Sequence, residues 1–190
     1  FIPELREGKF EFDLAQKNGL SSLVEEKDLK GILHNHSTYS DGNDTLKDMA
    51  LYCKELGYEY LGICDHSKSA FYANGLKEDR IIQQHQEIEK LNKELAPFKV
   101  FKGIESDILS SGELDYSDDV LNTFDFIVAS VHSNLRMDEE KATTRLIKAI
   151  ENKYTTILGH PTGRLLLSRP GYPIDHKKVI DACSANEVVI

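Results

Sequence analysis

From Lys30 onward, short apolar runs alternate with longer stretches in which apolar residues recur every three or four positions. This is the pattern of repeated strand–helix units around a parallel sheet. The short runs predict strands at about 31–36, 60–65, 100–106, 125–132, 155–159 and 187–190. The longer stretches predict helices over 45–56, 78–95, 138–152 and 175–186. The first helix follows the turn Ser40-Asp41-Gly42-Asn43 and stops at Gly57; the second is closed by Pro97; the last is entered through Gly171-Tyr172-Pro173. Residues 1–29 are polar and acidic with weak periodicity, and read as a lead-in segment to one domain over 30–190. The chain opens on Phe1 and closes on the strand-like Glu187-Val188-Val189-Ile190, so both ends read as cuts and the domain as incomplete at its C-terminus.

Against this frame, the placement of His34, His36, His66, Glu105, His132 and His160 is informative. Each lies at or just past the C-terminal end of a predicted strand. In a strand–helix barrel those ends converge on one mouth, where active sites are built. His34 and His36 are two apart on a segment expected to be extended, so both side chains would leave one face. Asp41 follows in the same loop and, alone, reads more readily as a turn residue or helix cap. Asp65-His66 closes the apolar run from Tyr60, and Glu105 closes the run from Val100. Each of these alone has a structural explanation; their common phase does not. Mixed imidazole and carboxylate ligands without a cysteine cluster suit zinc, manganese or iron in a hydrolytic site. There are too many for one ion, and Glu105 is placed to bridge, so two or three divalent ions roughly 3.5–4 Å apart are expected, a clamp for a phosphoester. His85, among Gln83, Gln84 and Gln86, and His176 at a helix start are expected to face solvent.

Composition narrows the setting. Of the 190 residues 40% are apolar, enough for one globular domain. No apolar run is long enough to span a bilayer and the N-terminus has no signal-peptide layout, which points to the cytoplasm. Cys53, Cys64 and Cys183 are odd in number and set among apolar residues, as reduced, packed thiols would be. The net charge of −9 is the wrong sign for holding nucleic acid by bulk electrostatics, so such a role would need local positive charge. Bound metal ions supply it, and Lys68, Arg136, Arg164 and Arg169 in the same C-terminal loops are candidate phosphate contacts. Phe71 and Tyr72 are candidates to stack a terminal base.

Taken in order, Leu33-His34-Asn35-His36-Ser37 with Ser40-Asp41-Gly42, then Asp65-His66-Ser67, Gly103-Ile104-Glu105, Ser130-Val131-His132-Ser133 and Gly159-His160-Pro161 resemble the motifs of the PHP (polymerase and histidinol phosphatase) domain. The stretches Asp65-His66-Ser67-Lys68-Ser69, Ala73-Asn74-Gly75-Leu76, Gly159-His160-Pro161-Thr162-Gly163-Arg164-Leu165 and Pro3-Glu4-Leu5-Arg6-Glu7 resemble the branch attached to bacterial and archaeal family X DNA polymerases.

The resemblance implies a distorted TIM-like barrel of seven strands, an α/β fold of which about six strands would be present here, with a trinuclear metal centre at its mouth. It implies that His34, His36 and Glu105 hold one ion, Glu105 and His132 a second, and Asp41, His66 and His160 a third, with Asp65 behind them. It further implies a 3′-5′ exonuclease or 3′-end-processing hydrolase in DNA repair or replication. DNA 3′ ends would be the substrate, a polymerase domain would precede Phe1, and no membrane would be involved. The family's last motif, an Asp-x-His on the final strand, has no match before Ile190, so weak or no activity is expected of residues 1–190 alone. A histidinol-phosphatase-like enzyme for small phosphoesters and a non-catalytic scaffold for the polymerase are the competing readings.

Overall fold

The computed structural model describes residues 11–17, 24–165 and 167–190. The chain divides into two units, Phe1–Lys30 and Gly31–Ile190. In the first, helix α1 (Glu11–Gln16) and a single 3-10 turn (Glu26–Asp28) are the regular elements described. The Asp28 carboxylate accepts a hydrogen bond from the Glu25 backbone N–H at 2.9 Å and so closes the turn.

In the second unit, β1 (Gly31–Ile32), β2 (Tyr60–Ile63), β3 (Lys99–Asp107), β4 (Phe126–Ser130) and β5 (Ile157–Leu158) pair side by side, all parallel and in chain order. Parallel neighbours need a crossover, and helices provide it. These are α2 (Leu46–Glu55), α3 (Glu78–Glu94), the short α4 (Asp118–Leu121) and α5 (Glu139–Ile150), with α6 (His176–Ala185) after β5. A sheet order that follows the chain without reversing is that of a curled half-barrel, not of a doubly wound sheet.

Three of the helices are capped by side chains. Thr45 Oγ1 accepts from Asp48 N at 3.1 Å, Asp138 Oδ1 from Lys141 N at 2.8 Å and Asp175 Oδ1 from Lys178 N at 3.0 Å. Beyond α2, Gly57 takes the left-handed backbone (φ 84°) of a helix stop. The central strands are buried on both faces, which is why they read as near-continuous apolar runs; β4 is buried at every position. Ile104, Ile127, Leu146 and Leu158 form the centre of one core cluster, and Leu46, Leu61, Ile88 and Val100 that of another.

The structure departs from expectation in several places. The strand predicted over 31–36 stops at Ile32, because His34 takes a left-handed backbone (φ 61°) that no strand accommodates. The sixth strand, predicted over 187–190, is reduced to a single bridge, in which Leu158 N donates to Val189 O at 2.7 Å and Val189 N to Thr156 O at 3.0 Å. A left-handed Glu187 (φ 57°) directly precedes that bridge. In contrast, β3 runs on to Asp107, past its predicted end. Helix α4 and a 3-10 turn at Phe71–Ala73 lie in stretches that carry no periodic signal. His85 does not face solvent: its ring packs edge-on against Phe124, with centroids 5.0 Å apart. His176 is exposed as expected.

Candidate metal centre

The loops after β1, β2, β4 and β5, together with the end of β3 itself, carry the polar residues. The first, after β1, bears His34, His36 and Asp41. Its course is set from below: Asn35 Nδ2 donates to Gly62 O at 2.8 Å, and Cys64 N donates to Asn35 O at 2.9 Å. Asp65, fully buried at the end of β2, completes the anchoring. Its Oδ1 accepts from Ser37 N (2.8 Å), Ser40 N (3.2 Å) and Ser40 Oγ (2.6 Å), and its Oδ2 from Ser37 Oγ (2.7 Å) and Gln84 Nε2 (2.6 Å). A buried carboxylate with its lone pairs filled in this way organises the loop and has nothing left to offer an ion. At Gly42 the turn passes so close to the His36 carbonyl that a Cβ would overlap it.

The left-handed bend at His34 changes how the His34–His36 pair works. The two rings converge because the chain curls, at 5.8 Å between centroids and 60° between planes, and not because they share the face of a strand. His160 also sits at positive φ (22°). Sparsely populated backbone at two such histidines is the kind of strain that accumulates at functional sites.

All five histidines point at Glu105, which is buried on β3. Oε1 lies 2.9 Å from His34 Nε2, 2.9 Å from His160 Nε2 and 3.2 Å from His132 Nε2. Oε2 lies 3.1 Å from His66 Nδ1 and 3.5 Å from His36 Nε2. Asp41, more exposed, stands over the other edge of the last two rings, 3.8 Å from His36 Nδ1 and 3.7 Å from His66 Nε2. Three groups, each with its donor atoms within 4.8 Å of one another, could hold a metal ion: His34, His36 and Glu105; His36, Asp41 and His66; His66, Glu105 and His132. The resemblance joins His160 to Asp41 and His66; here His160 stands on the Glu105 Oε1 side, its ring 5.1 Å from that of His132.

The electrostatics suit this arrangement. Burial pushes the Glu105 carboxyl up, but hydrogen bonds from His132, His160 and His34 outweigh it and hold the group ionised, far below the usual carboxylate range. Burial pushes the His66 imidazole down, against the pull of Glu105, and so favours the neutral form that can ligate. Among the described residues buried His36 Nδ1 and His66 Nδ1 have no hydrogen-bond partner. Buried lone pairs left open beside an ionised carboxylate fit divalent cations of the borderline class.

Asp107 is a candidate site residue that the sequence pattern did not single out. Its Oδ1 lies 2.5 Å from His132 Nδ1, so the outer nitrogen of that ring is held while Nε2 faces Glu105. The signal was present, since residues two apart on a strand share a face and Glu105 and Asp107 are such a pair. Arg145 of α5 is buried beneath them, donating to the carbonyls of Ile108, Leu109 (2.9 Å) and Ser133 (3.0 Å).

The candidate substrate residues are dispersed. Lys68 Nζ is already matched, 2.7 Å from Glu78 Oε1 and over the Tyr116 ring. Arg164 lies in the loop that also carries Arg169, Arg136 on a cavity beside His132. Phe71 and Tyr72 are 84% and 74% exposed, too much for core residues, and the Tyr72 ring stands 6.2 Å from that of His66. Cys53, Cys64 and Cys183 are free and buried. Among the described residues no helix is long and apolar enough to cross a membrane.

A parallel half-barrel whose strand ends gather imidazoles around one buried carboxylate is the arrangement of a barrel hydrolase with a candidate metal centre. The profile of the PHP domain matches residues 33–181, and the chain belongs to that family. It is 44% identical over 179 residues to the "DNA polymerase/3'-5' exonuclease PolX" of Bacillus subtilis, covering 94% of this chain and 31% of the relative. It is 29% identical over 161 residues to a "Probable phosphatase" of Acetivibrio thermocellus, covering 80% of this chain and 60% of that one. The chain thus spans about a third of the polymerase relative's length. The histidinol phosphate phosphatase of Lactococcus lactis, solved with zinc, L-histidinol and phosphate, shares the fold with a TM-score of 0.54 at 14% identity, over 84% of this chain and 71% of that one. These likenesses bear out the expected fold and the kinship with the PHP domain of family X polymerases, and support a phosphoesterase-type hydrolase.

Proposed function

We propose that this domain is a metal-dependent phosphodiesterase that trims or processes DNA 3′ ends, in the cytoplasm and beside an N-terminal polymerase domain of the same protein. One observation carries the reading: a single buried carboxylate presents one oxygen to His34, His132 and His160 and the other to His36 and His66, the placement of a bridging ligand. His34, His36, Asp41, His66, Glu105, His132 and His160 would hold two or three divalent ions of zinc, manganese or iron. When bound, such ions polarise a phosphoryl oxygen and acidify a water. The protein's own part is to hold the donors. Asp107 orients His132, and Asp65 fixes the loop of His36 and Asp41.

DNA as the substrate is supported by the 44% identity to a polymerase/exonuclease over nearly the whole chain. Lys68, Arg136 and Arg164 are proposed phosphate contacts, with Lys68 able to reach DNA only by leaving Glu78. The test is to incubate the full-length protein and manganese with a single-stranded oligonucleotide labelled at its 5′ end. A ladder of 3′-shortened products that vanishes in His132→Ala is expected; no shortening, or equal shortening by the variant, would overturn the reading.

A second reading, a phosphatase for small monoesters, is favoured by the relatives named as probable phosphatases. Preference for histidinol phosphate over the oligonucleotide in the same assay would select it.

A further inference from the structure

The chain is acidic, with a net charge of −9, and several of its described surface lysines are tied to carboxylates, among them Lys68, Lys102, Lys148 and Lys153. One cavity is an exception. Of about 600 Å³, it opens beside His132 and is walled by Ser110, Asn134, Arg136, Lys141 and Arg169. Three loops and the first turn of α5 meet there. Asn134, in a left-handed conformation (φ 54°), donates to Ser110 Oγ at 2.7 Å and closes one wall.

Three cations line this cavity and no carboxylate does. Among the described residues neither the Arg136 guanidinium nor the Lys141 ammonium has a hydrogen-bond or ion-pair partner, and Arg169 donates only to the Gly163 carbonyl, at 2.8 and 3.2 Å. Asp138 is occupied in capping α5, and Glu139 and Glu140, which precede Lys141, line neighbouring cavities and not this one. Like charges gathered without counter-charge repel one another, and the arrangement makes physical sense when an anion enters. The size is that of a ligand site, and one wall is a histidine of the metal centre.

Beside His66 the surface changes character. Tyr72 stands exposed against His66, on a 3-10 turn held by Arg80, which donates to Asn74 O at 2.9 Å. His66 in turn packs edge-on to His132, with centroids 5.0 Å apart. Tyr72 thus adjoins the Glu105 centre through His66, at Oε2, and the basic cavity adjoins it through His132, at Oε1.

We infer that the cavity binds the phosphate next to the one being cut, with the terminal base stacked on Tyr72, so that Arg136, Lys141 and Arg169 determine specificity for an oligonucleotide over a substrate with a single phosphate. The inference rests on the phosphodiesterase reading and adds the direction in which the strand crosses the mouth. Terminal nucleotide and remaining strand lie on opposite sides of Glu105.

The test compares kcat/KM of the full-length protein with manganese on a trinucleotide and on thymidine 5′-(p-nitrophenyl phosphate), a diester with no neighbouring phosphate. The Arg136→Ala/Lys141→Ala double variant is expected to narrow the trinucleotide-to-diester ratio about ten-fold. It is also expected to reduce the slope of log kcat/KM against log salt for the trinucleotide by about 0.7 per lost contact. Tyr72→Ala is expected to lower trinucleotide kcat/KM with the salt slope kept, and Tyr72→Phe to restore it, since stacking needs the ring alone. A double variant with the wild-type ratio and slope overturns the inference, as does a wild type that cleaves the diester and not the trinucleotide. A wild type that cleaves neither overturns the phosphodiesterase reading itself, and the inference with it.

Discussion

Asp107 Oδ1 and His132 Nδ1 lie 2.5 Å apart, and the pair sits on adjacent strand ends, so the carboxylate fixes the tautomer and the aim of the ring. Burial pushes the His132 imidazole down, but Asp107 and Glu105 outweigh it and carry its pKa to about 9, so a metal ion bound at Nε2 would have to displace that proton. A carboxylate behind a ligating histidine is typically worth 10–100-fold in metal affinity or activity. Asp107→Ala is therefore expected to lower phosphodiesterase kcat/KM by about that factor, with metal content, read by elemental analysis of the purified protein, falling in parallel. An Asp107→Ala protein that keeps both would remove the residue from the site.

Asp65 gives a different expectation, because it accepts five hydrogen bonds from Ser37, Ser40 and Gln84 and faces away from the centre. Asp65→Ala leaves buried donors without an acceptor, a change that costs about 3–5 kcal/mol. For a chain of this length that corresponds to a fall in Tm of roughly 10 °C by calorimetry. Activity would fall with it, since the same loop carries His36 and Asp41.

Metal removal should destabilise the fold as well as stop the reaction. Ions that bind only the folded state add about 2.7 kcal/mol at a hundred times their Kd. Dialysis against a chelator is expected to lower Tm by several degrees, and zinc or manganese to restore it, whereas magnesium, a poor match for imidazole, would not.

His85 predicts a pH dependence. Burial, then the charge of Lys102, lowers its pKa from 6.5 to about 4, so the folded protein keeps it neutral where the unfolded chain protonates it. Its contribution to stability is present above pH 6.5 and lost as the pH falls toward 4. After allowance for partial solvent exposure, His85→Phe should gain about 1–2 kcal/mol relative to wild type between pH 7.5 and 4.5 in urea titrations. A constant difference across that range would contradict the assignment.

Much of the site was legible because buried strands rarely end on ionisable residues, and Asp65-His66, Glu105, His132 and His160 all do so. What escaped reading was local backbone and partner geometry. A His-x-His segment is compatible with extended chain, and nothing in His34 announces its left-handed bend. Asp107 was hidden because the end of β3 was placed one residue too early. The polar run Gln83-Gln84-His85-Gln86 reads as a solvated face; yet Gln84 is fully buried, its amide bound to Asp65, and His85 turns inward beside it. A polar side chain can be drawn into the interior by a partner far away in sequence, and hydrophobic periodicity has no term for that.

Arg145 deserves its place in any account of how this mouth responds to change elsewhere. By grasping the carbonyls of Ile108, Leu109 and Ser133, it hangs the loops after β3 and β4 from a single side chain of an outer helix. Asp107 and His132 therefore share one suspension point, and a push on α5 from outside would shift both together, preserving their mutual hydrogen bond while moving the pair relative to His34 and His36.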